Sequence, residues 1–244
     1  MFQILKGSRY FLKGFSLIFK PGIRKWVVIP LGINFFLFGY ITYVSWVQFQ
    51  TFTKFIMDRS QILYWLMLPI FTVTAIIVVF FTFTFMANLI GGPFNDSLAK
   101  AVENHLRDKT VNFPTAPWYD VITKYFWYPI TKLFYYLWWA FILLIVSLIP
   151  IINIISPILW FLFGAWLISL EYANAPFGNH GKNPPTVRKI LAKQRMLAFG
   201  FGSTALLIML IPVVNLLVMP VAVAGATYMW VYEFADKYHE NSTL

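Results

Sequence analysis

The chain has 244 residues, of which 59% are hydrophobic, 20% are aromatic and only 11% are charged. Soluble domains carry roughly a quarter charged residues, so this composition excludes an ordinary soluble enzyme and indicates a protein whose surface faces lipid. The formal net charge of +10 favours anionic lipid or an anionic substrate. We expect no nucleic acid partner, because the basic residues flank apolar segments. The absence of cysteine excludes disulfides and thiolate chemistry, and we expect no cofactor and no metal.

Residues 1–20 alternate basic and apolar side chains with a helical period. The polar set, spaced three or four residues apart, comprises Lys6, Arg9, Lys13, Ser16 and Lys20. The apolar set comprises Ile4, Leu5, Phe11, Leu12, Phe15, Ile18 and Phe19. This spacing predicts an amphipathic helix that lies in the membrane interface.

Two long apolar segments follow, at residues 26–50 and 62–90. Each exceeds the roughly 20 residues that cross the hydrocarbon core of a bilayer, so both are predicted to be transmembrane helices. The sequence Gly91-Gly92-Pro93 is expected to end the second helix, because glycine favours a helix stop and proline cannot continue one. Residues 96–132 carry mixed charges and are predicted to form hydrophilic central helices.

Two further apolar segments, residues 133–170 and 196–234, are each interrupted by a Pro-x-x-Asn sequence and another proline. The interrupting residues are Pro150, Asn153 and Pro157 in the first segment and Pro212, Asn215 and Pro220 in the second. Proline removes a helical hydrogen bond and clashes with the preceding turn, so each segment is predicted to be a hairpin of two helices. We expect arms of about 14 to 17 residues, roughly 21 to 25 Å long, against a hydrocarbon core of about 30 Å.

This arm length leaves two arrangements open: six membrane spans, or two spans plus two hairpins that enter and leave on one side. Short arms favour the second. The predicted fold is therefore a single all-α integral membrane domain, residues 1–244, with an amphipathic N-terminal helix, two long transmembrane helices and two partly inserted hairpins. The basic loop 171–195 predicts that its side of the membrane is cytoplasmic. Short hairpins do not seal a conduit alone, so we expect a homo-oligomer.

Several short motifs between residues 21 and 231 carry a resemblance to a known family. They are Pro21-Gly-Ile-Arg-Lys25, Pro93-Phe-Asn95, Leu159–Trp166, Glu171-Tyr172, Pro176-Phe177, Asn179-His180, Met219–Thr227 and Met229–Val231. In this order they resemble the CysZ family of multi-pass sulfate transporters of the bacterial inner membrane. The resemblance implies sulfate uptake into the cytoplasm for cysteine biosynthesis, and a fold with two long transmembrane helices and two partly inserted hairpins.

Two other functions remain as alternatives, a non-transporting membrane scaffold and a membrane enzyme. The acidic residues are few and dispersed, and the sequence has no glycine-rich nucleotide loop. Both features disfavour an enzyme. The sequence leaves open whether transport is passive or proton-coupled, and how the protein discriminates between oxyanions.

The predicted sulfate contacts are Gly22, Ile23, Arg24 and Lys25, where the first helix ends and the second begins. Backbone N–H groups at a helix start lack helical partners and lie at the positive end of the helix dipole. Arg24 adds a planar fork of donors and Lys25 a mobile charge. The alternative is that both cations contact lipid phosphate at the membrane boundary. The family motif includes this loop and favours sulfate.

Five more residues are candidates for lining a hydrophilic pathway: Glu103, Arg107, His105, Asn153 and Asn215. Glu103 and Arg107 are four residues apart and are expected to pair along one helix face. The alternative for them is a solvated surface pair of little consequence. Asn153 and Asn215 are expected at the hairpin tips, where the alternative role is to cap the half-helices.

Overall fold

The structure, a computed structural model, describes residues 2–114, 123 and 127–239. All regular secondary structure in these ranges is helical, which confirms the all-α prediction. The helices are α1 (Phe2–Ile18), α2 (Lys25–Met57), α3 (Gln61–Arg107), α4 (Tyr128–Ser147), α5 (Pro150–Asn153), α6 (Ser156–Asn179), α7 (Pro184–Ala192), α8 (Arg195–Met209), α9 (Pro212–Met229) and α10 (Ala235–His239), with a π-helical turn at Trp230–Phe234 before α10.

Five helical segments in the described ranges are long and apolar enough to cross a membrane. They are Lys25–Met57, Gln61–Phe83, Tyr128–Ser147, Ser156–Asn179 and Val214–Tyr238. Helices that are apolar on every face belong in lipid or in a protein core. In the first three of these segments the most apolar stretch is almost entirely unburied, so the chain is an integral membrane protein.

The chain divides into two compact units. The two-helix unit is Val28–Phe94 and the core unit is Met1–Val27 with Asn95–Leu244. Inside the two-helix unit, aromatic rings of α2 contact rings of α3. Phe71 stacks on Phe52 with ring centroids 3.9 Å apart and lies 5.6 Å from the ring of Phe49. Aromatic contacts of this kind join α2 to α3.

The predicted stop at Gly91-Gly92-Pro93 is wrong, because α3 continues unbroken from Gln61 to Arg107. Proline costs one backbone hydrogen bond in a helix, but the bonds on either side persist, and apolar helices accommodate the loss. Pro30 within α2 and Pro69 within α3 behave in the same way. The first of the predicted central helices is therefore the end of α3. The segment near Trp118, where the next helix was expected, lies outside the described residues.

The core unit is built on close contacts between α1 and the helices α8 and α9. A Cβ atom placed on Gly7 would lie 2.0 Å from the carbonyl oxygen of Leu197, and one on Gly14 would lie 2.0 Å from that of Val221. Small residues let helix backbones approach this closely. Tyr10 and Phe11 are buried beside these glycines. The helix predicted from the first twenty residues is therefore present, and its buried face is the one that carries the glycines.

Polar contacts reinforce these helix pairs. Glu233, in the π-helical turn, forms an ion pair with Lys6 and accepts a hydrogen bond from the Tyr10 hydroxyl. Ser169 of α6 donates a hydrogen bond to the carbonyl oxygen of Ala198 in α8. Helix α1 is thus bonded to the π-helical turn, and α6 to α8.

The predicted breaks at the two Pro-x-x-Asn sequences are confirmed. Pro150 opens α5 and Pro212 opens α9. Proline fits the first helical position because its missing N–H would be unpaired there in any case.

The predicted arm length is wrong for three of the four arms. Helices α4, α6, α8 and α9 have 20, 24, 15 and 18 residues. Helix α6 is longer because its hydrogen bonding continues past the apolar segment, from Glu171 to Asn179, and α4 is longer because it begins before the apolar segment, at Tyr128. Arm length therefore no longer favours partial insertion of the hairpins, and their depth in the membrane stays a prediction.

Candidate anion-binding and pathway residues

The turn between α1 and α2 is shaped by Gly22, whose φ of +83° lies in the left-handed region. A side chain is disfavoured there, although no atom would lie within 4 Å of a Cβ at this position. Ile23 and Val27 are buried and anchor the turn. Arg24 and Lys25 are exposed, so both cations remain available to an anion or to lipid phosphate.

The sequence predicts free backbone amides in this turn, but two of them are already bonded. The N–H groups of Ile23 and Arg24 both donate to the carbonyl oxygen of Lys20, at 3.1 and 3.2 Å. The turn closes on itself and uses these donors. The N–H groups of Gly22 and Lys25 make no backbone hydrogen bond within the described residues, so two donors remain.

The pathway candidates Glu103 and Arg107 lie in a buried cluster. Arg107 Nε donates to Glu103 Oε1 at 2.9 Å, and the other carboxylate oxygen lies 2.7 Å from His180 Nε2. The Glu103 side chain is 1% exposed. The imidazole stacks on the indole ring of Trp230, with centroids 4.8 Å apart. Glu103 and Arg107 therefore form a largely buried ion pair and not a solvated surface pair.

Electrostatics keep the Glu103 carboxylate charged despite its burial. Burial alone would raise the pKa of this carboxyl. The hydrogen bond and charge of His180, together with those of Arg107, outweigh that effect and lower the pKa below its ordinary value. Arg107 Nη2 is buried and has no hydrogen-bond partner in the described part of the chain. A buried cationic N–H without an acceptor is costly unless an acceptor arrives.

His180 is the functional candidate that sequence reasoning missed. It follows α6 directly, and the amide of Asn179 donates to the Asp96 carbonyl oxygen at 2.9 Å, which holds the end of α6 against α3. His180 and Glu103 are 77 residues apart in the sequence, so no local spacing relates them. The only sequence signal was the Asn179-His180 motif, to which no role was given.

The other three pathway candidates are not brought into this cluster. His105 is exposed on α3, because two residues along a helix turn a side chain to another face. Asn153 and Asn215 lie in the two hairpin breaks and are exposed. The alternative capping role is wrong, since the residues at the N-cap positions of α5, α6 and α9 are isoleucines without a side-chain capping bond.

Taken together, the apolar helices and the five candidate spans define a multi-pass membrane protein. Residues 10–220 match the family described as sulfate transporter CysZ/etoposide-induced protein 2.4. The chain belongs to this family, and the multi-pass fold is consistent with the bacterial inner membrane.

Curated relatives agree over nearly the whole length. The chain is 38% identical over 237 residues to the sulfate transporter CysZ of Pseudomonas fluorescens strain Pf0-1, covering 94% of each chain. It is 36% identical over 240 residues to the sulfate transporter CysZ of Pseudomonas aeruginosa strain PAO1, covering 96% of this chain and 97% of the relative. It is 37% identical over 235 residues to that of Pseudomonas syringae pv. tomato, covering 94% and 93%.

Proposed function

We propose that this protein transports sulfate across the bacterial inner membrane into the cytoplasm, where it supplies sulfur assimilation and cysteine biosynthesis. The observation that carries the proposal is the full-length similarity to relatives named sulfate transporter CysZ. The family match and the five candidate spans support it. We also propose that the chain is not an enzyme and needs no cofactor.

Sulfate binding is assigned to the turn formed by Gly22, Ile23, Arg24 and Lys25. Sulfate is a tetrahedral dianion, and a protein must replace its water with several directed donors. The unused N–H groups of Gly22 and Lys25 and the exposed side chains of Arg24 and Lys25 support this role. The buried Ile23 side chain fixes the turn in place.

The hydrophilic pathway is assigned to the cluster of Glu103, Arg107 and His180. The unpartnered Arg107 Nη2 is a donor that a passing anion would satisfy, and the Glu103 carboxylate prevents the anion from binding there too tightly. The exposed residues His105, Asn153 and Asn215 are assigned to other parts of the pathway, outside this cluster.

The proposal also assigns the surfaces of the protein to lipid, to other subunits and to the cytoplasm. Large apolar side chains cover α4, among them Phe134 at 71% and Trp138 at 64% exposure, and we assign them to membrane lipid and to contacts in a homo-oligomer. The hairpins are assigned a partial insertion in the membrane. Loop 171–195 is assigned to the cytoplasm because it is basic.

Arg24→Ala tests the binding turn, and Arg9→Ala is the matched control because Arg9 is an exposed cation on the neighbouring helix. Losing charge-assisted hydrogen bonds of about 1.5–3 kcal/mol predicts a sulfate dissociation constant raised about tenfold or more by Arg24→Ala. The control should change it less than about twofold. Equilibrium binding of radiolabelled sulfate to the purified full-length protein measures both. Equal affinities in the two variants would rule out the turn.

Transport itself is tested with the unmodified protein in liposomes. Uptake of radiolabelled sulfate above that of empty liposomes is the expected result. Uptake no faster than in empty liposomes would instead favour the membrane scaffold.

A further inference from the structure

A second cluster of cations surrounds a small cavity between α4, α6 and α7. The cavity has a volume of about 60 Å³, and its walls include Lys132, Tyr135, Asn174 and Arg188. On this measure a single water needs roughly 10–15 Å³, so the space admits a group of several heavy atoms. None of these residues belongs to the Gly22 turn or to the Glu103 cluster.

Arg188 is held in the cavity wall by an aromatic ring and not by a carboxylate. Its guanidinium carbon lies 4.3 Å from the ring centroid of Tyr135, whose hydroxyl accepts a hydrogen bond from Trp166 Nε1 at 3.3 Å. No salt bridge involves Arg188 within the described residues. A cation–π contact uses the face of the guanidinium and leaves its N–H edge free. The edge is thus positioned for an oxyanion.

The side chain of Lys132 is held by the Glu171 carboxylate, which also accepts a hydrogen bond from Tyr136. Lys132 Nζ lies 2.8 Å from both oxygens of Glu171, and the Tyr136 hydroxyl donates to the same carboxylate at 3.1 Å. An ammonium has three N–H donors, and the two bonds to Glu171 leave one donor of Lys132 for another acceptor. The described cavity walls carry two cations, Lys132 and Arg188, and Glu171 pairs with Lys132, so the charge of Arg188 is not balanced by this carboxylate.

We propose that this cavity is a second oxyanion site, which binds a tetrahedral sulfate or phosphate group. Arg188 meets it through two parallel N–H groups, Lys132 through its remaining donor, and Asn174 through its side-chain amide. Free sulfate and the phosphate of a lipid headgroup share this chemistry. The site does not depend on the binding turn of the proposed function, and it is tested separately.

Arg188→Gln is the primary test, and Lys189→Gln is the matched control because Lys189 is exposed and is the next residue of the same helix. Both variants are made in the Arg24→Ala protein, so that the first turn does not mask the second site. Losing the charged fork predicts a sulfate dissociation constant raised about tenfold by Arg188→Gln. The control is expected to change it less than about twofold.

Glu171→Gln gives a test of opposite sign. This change removes the carboxylate that competes for Lys132 while keeping a side chain of the same size. Sulfate binding should tighten several-fold in the same assay. A role for Glu171 in structure alone predicts weaker or unchanged binding, so either of these results would count against the site.

A second experiment tests whether the bound oxyanion is a lipid phosphate. The full chain is reconstituted in nanodiscs that contain phosphatidic acid, and native mass spectrometry counts the lipid that stays bound. Retention lost in Arg188→Gln but kept in Lys189→Gln assigns the cavity to a lipid phosphate. Arg188→Lys, which keeps the charge without the fork, should restore part of either signal and shows that the fold is intact. If Arg188→Gln behaves like Lys189→Gln with both sulfate and lipid, the proposal is overturned.

Discussion

Glycines have different surroundings in the two units. In the core unit, Gly7 and Gly14 face backbone carbonyl groups of neighbouring helices, and a Cβ at either would lie 2.0 Å from one of them. In the two-helix unit, Gly32 and Gly39 face open space. The large side chains differ as well, since Phe11 and Phe201 are fully buried in the core unit while Phe35 and Phe36 are each 76% exposed in the other.

The difference teaches how each unit gains its stability. Lipid is as apolar as a leucine side chain, so helices associate in a membrane through close contact and polar bonds and not through the hydrophobic effect. The core unit has both. The two-helix unit has a few stacked rings and a broad apolar surface that lipid or another subunit must cover. Substitutions should therefore destabilise the core unit more than the two-helix unit.

The largest effect is expected for Gly14→Leu, with Gly39→Leu as the same change at an open site. A side chain at Gly14 forces α1 away from α9, and overpacking of this kind costs about 3 kcal/mol or more. At Gly39 the change should be neutral or slightly stabilising, because glycine is a poor helix former by about 1 kcal/mol. Thermal unfolding of the detergent-solubilised protein measures both. Equal destabilisation would contradict the comparison.

The second prediction concerns the buried polar cluster of the core unit. Glu103→Gln leaves the Arg107 charge without its carboxylate, and removing one partner of a buried pair costs about 3 kcal/mol. The depressed pKa of Glu103 fixes the sign of the pH dependence. The stabilisation is fully present above the ordinary glutamate value of 4.5 and is lost as the pH falls through the lower folded-state pKa.

Unfolding of both proteins on acidification checks this prediction. The difference in unfolding free energy between the unmodified protein and Glu103→Gln should be largest near neutral pH and should shrink below pH 4.5. A difference that stays constant to low pH would show that the carboxylate charge does not stabilise the cluster.

The smallest effect is expected in the two-helix unit. Phe71→Leu removes the stack on Phe52, whose centroids are 3.9 Å apart, and keeps most of the apolar volume. The loss should be about 1 kcal/mol. The same unfolding measurement reports it, and a loss as large as that of Gly14→Leu would mean that the two units do not differ as described.

The fold was predictable where a single steric rule decides the outcome. Pro150 and Pro212 each stand at the first position of a new helix, which proline tolerates because its missing N–H would be unpaired there. Pro93 does not break its helix, since α3 continues on both sides of it, and the steric rule alone does not distinguish this proline from the other two. The predicted helix ends were wrong where helical hydrogen bonding continues past the apolar residues of a segment, as in α6.

The candidate site was only partly predictable. Glu103 and Arg107 are one helical turn apart, so their pairing follows from spacing. Their burial and the contact with His180 depend on how α6 meets α3, which no local pattern encodes. The Gly22 turn was recognisable from its composition. Two of its amides are nevertheless used by Lys20, because a tight turn also satisfies its own backbone.

The uncapped hairpin tips impose a solvation requirement on the whole protein. Ile149 and Ile211 stand where a serine or asparagine would ordinarily shield the first helical turn, and neither makes a side-chain bond to it. An amide left dry in hydrocarbon is penalised by several kcal/mol. Each tip must therefore contact water, a lipid headgroup or a polar protein group, and this requirement holds at any depth in the membrane.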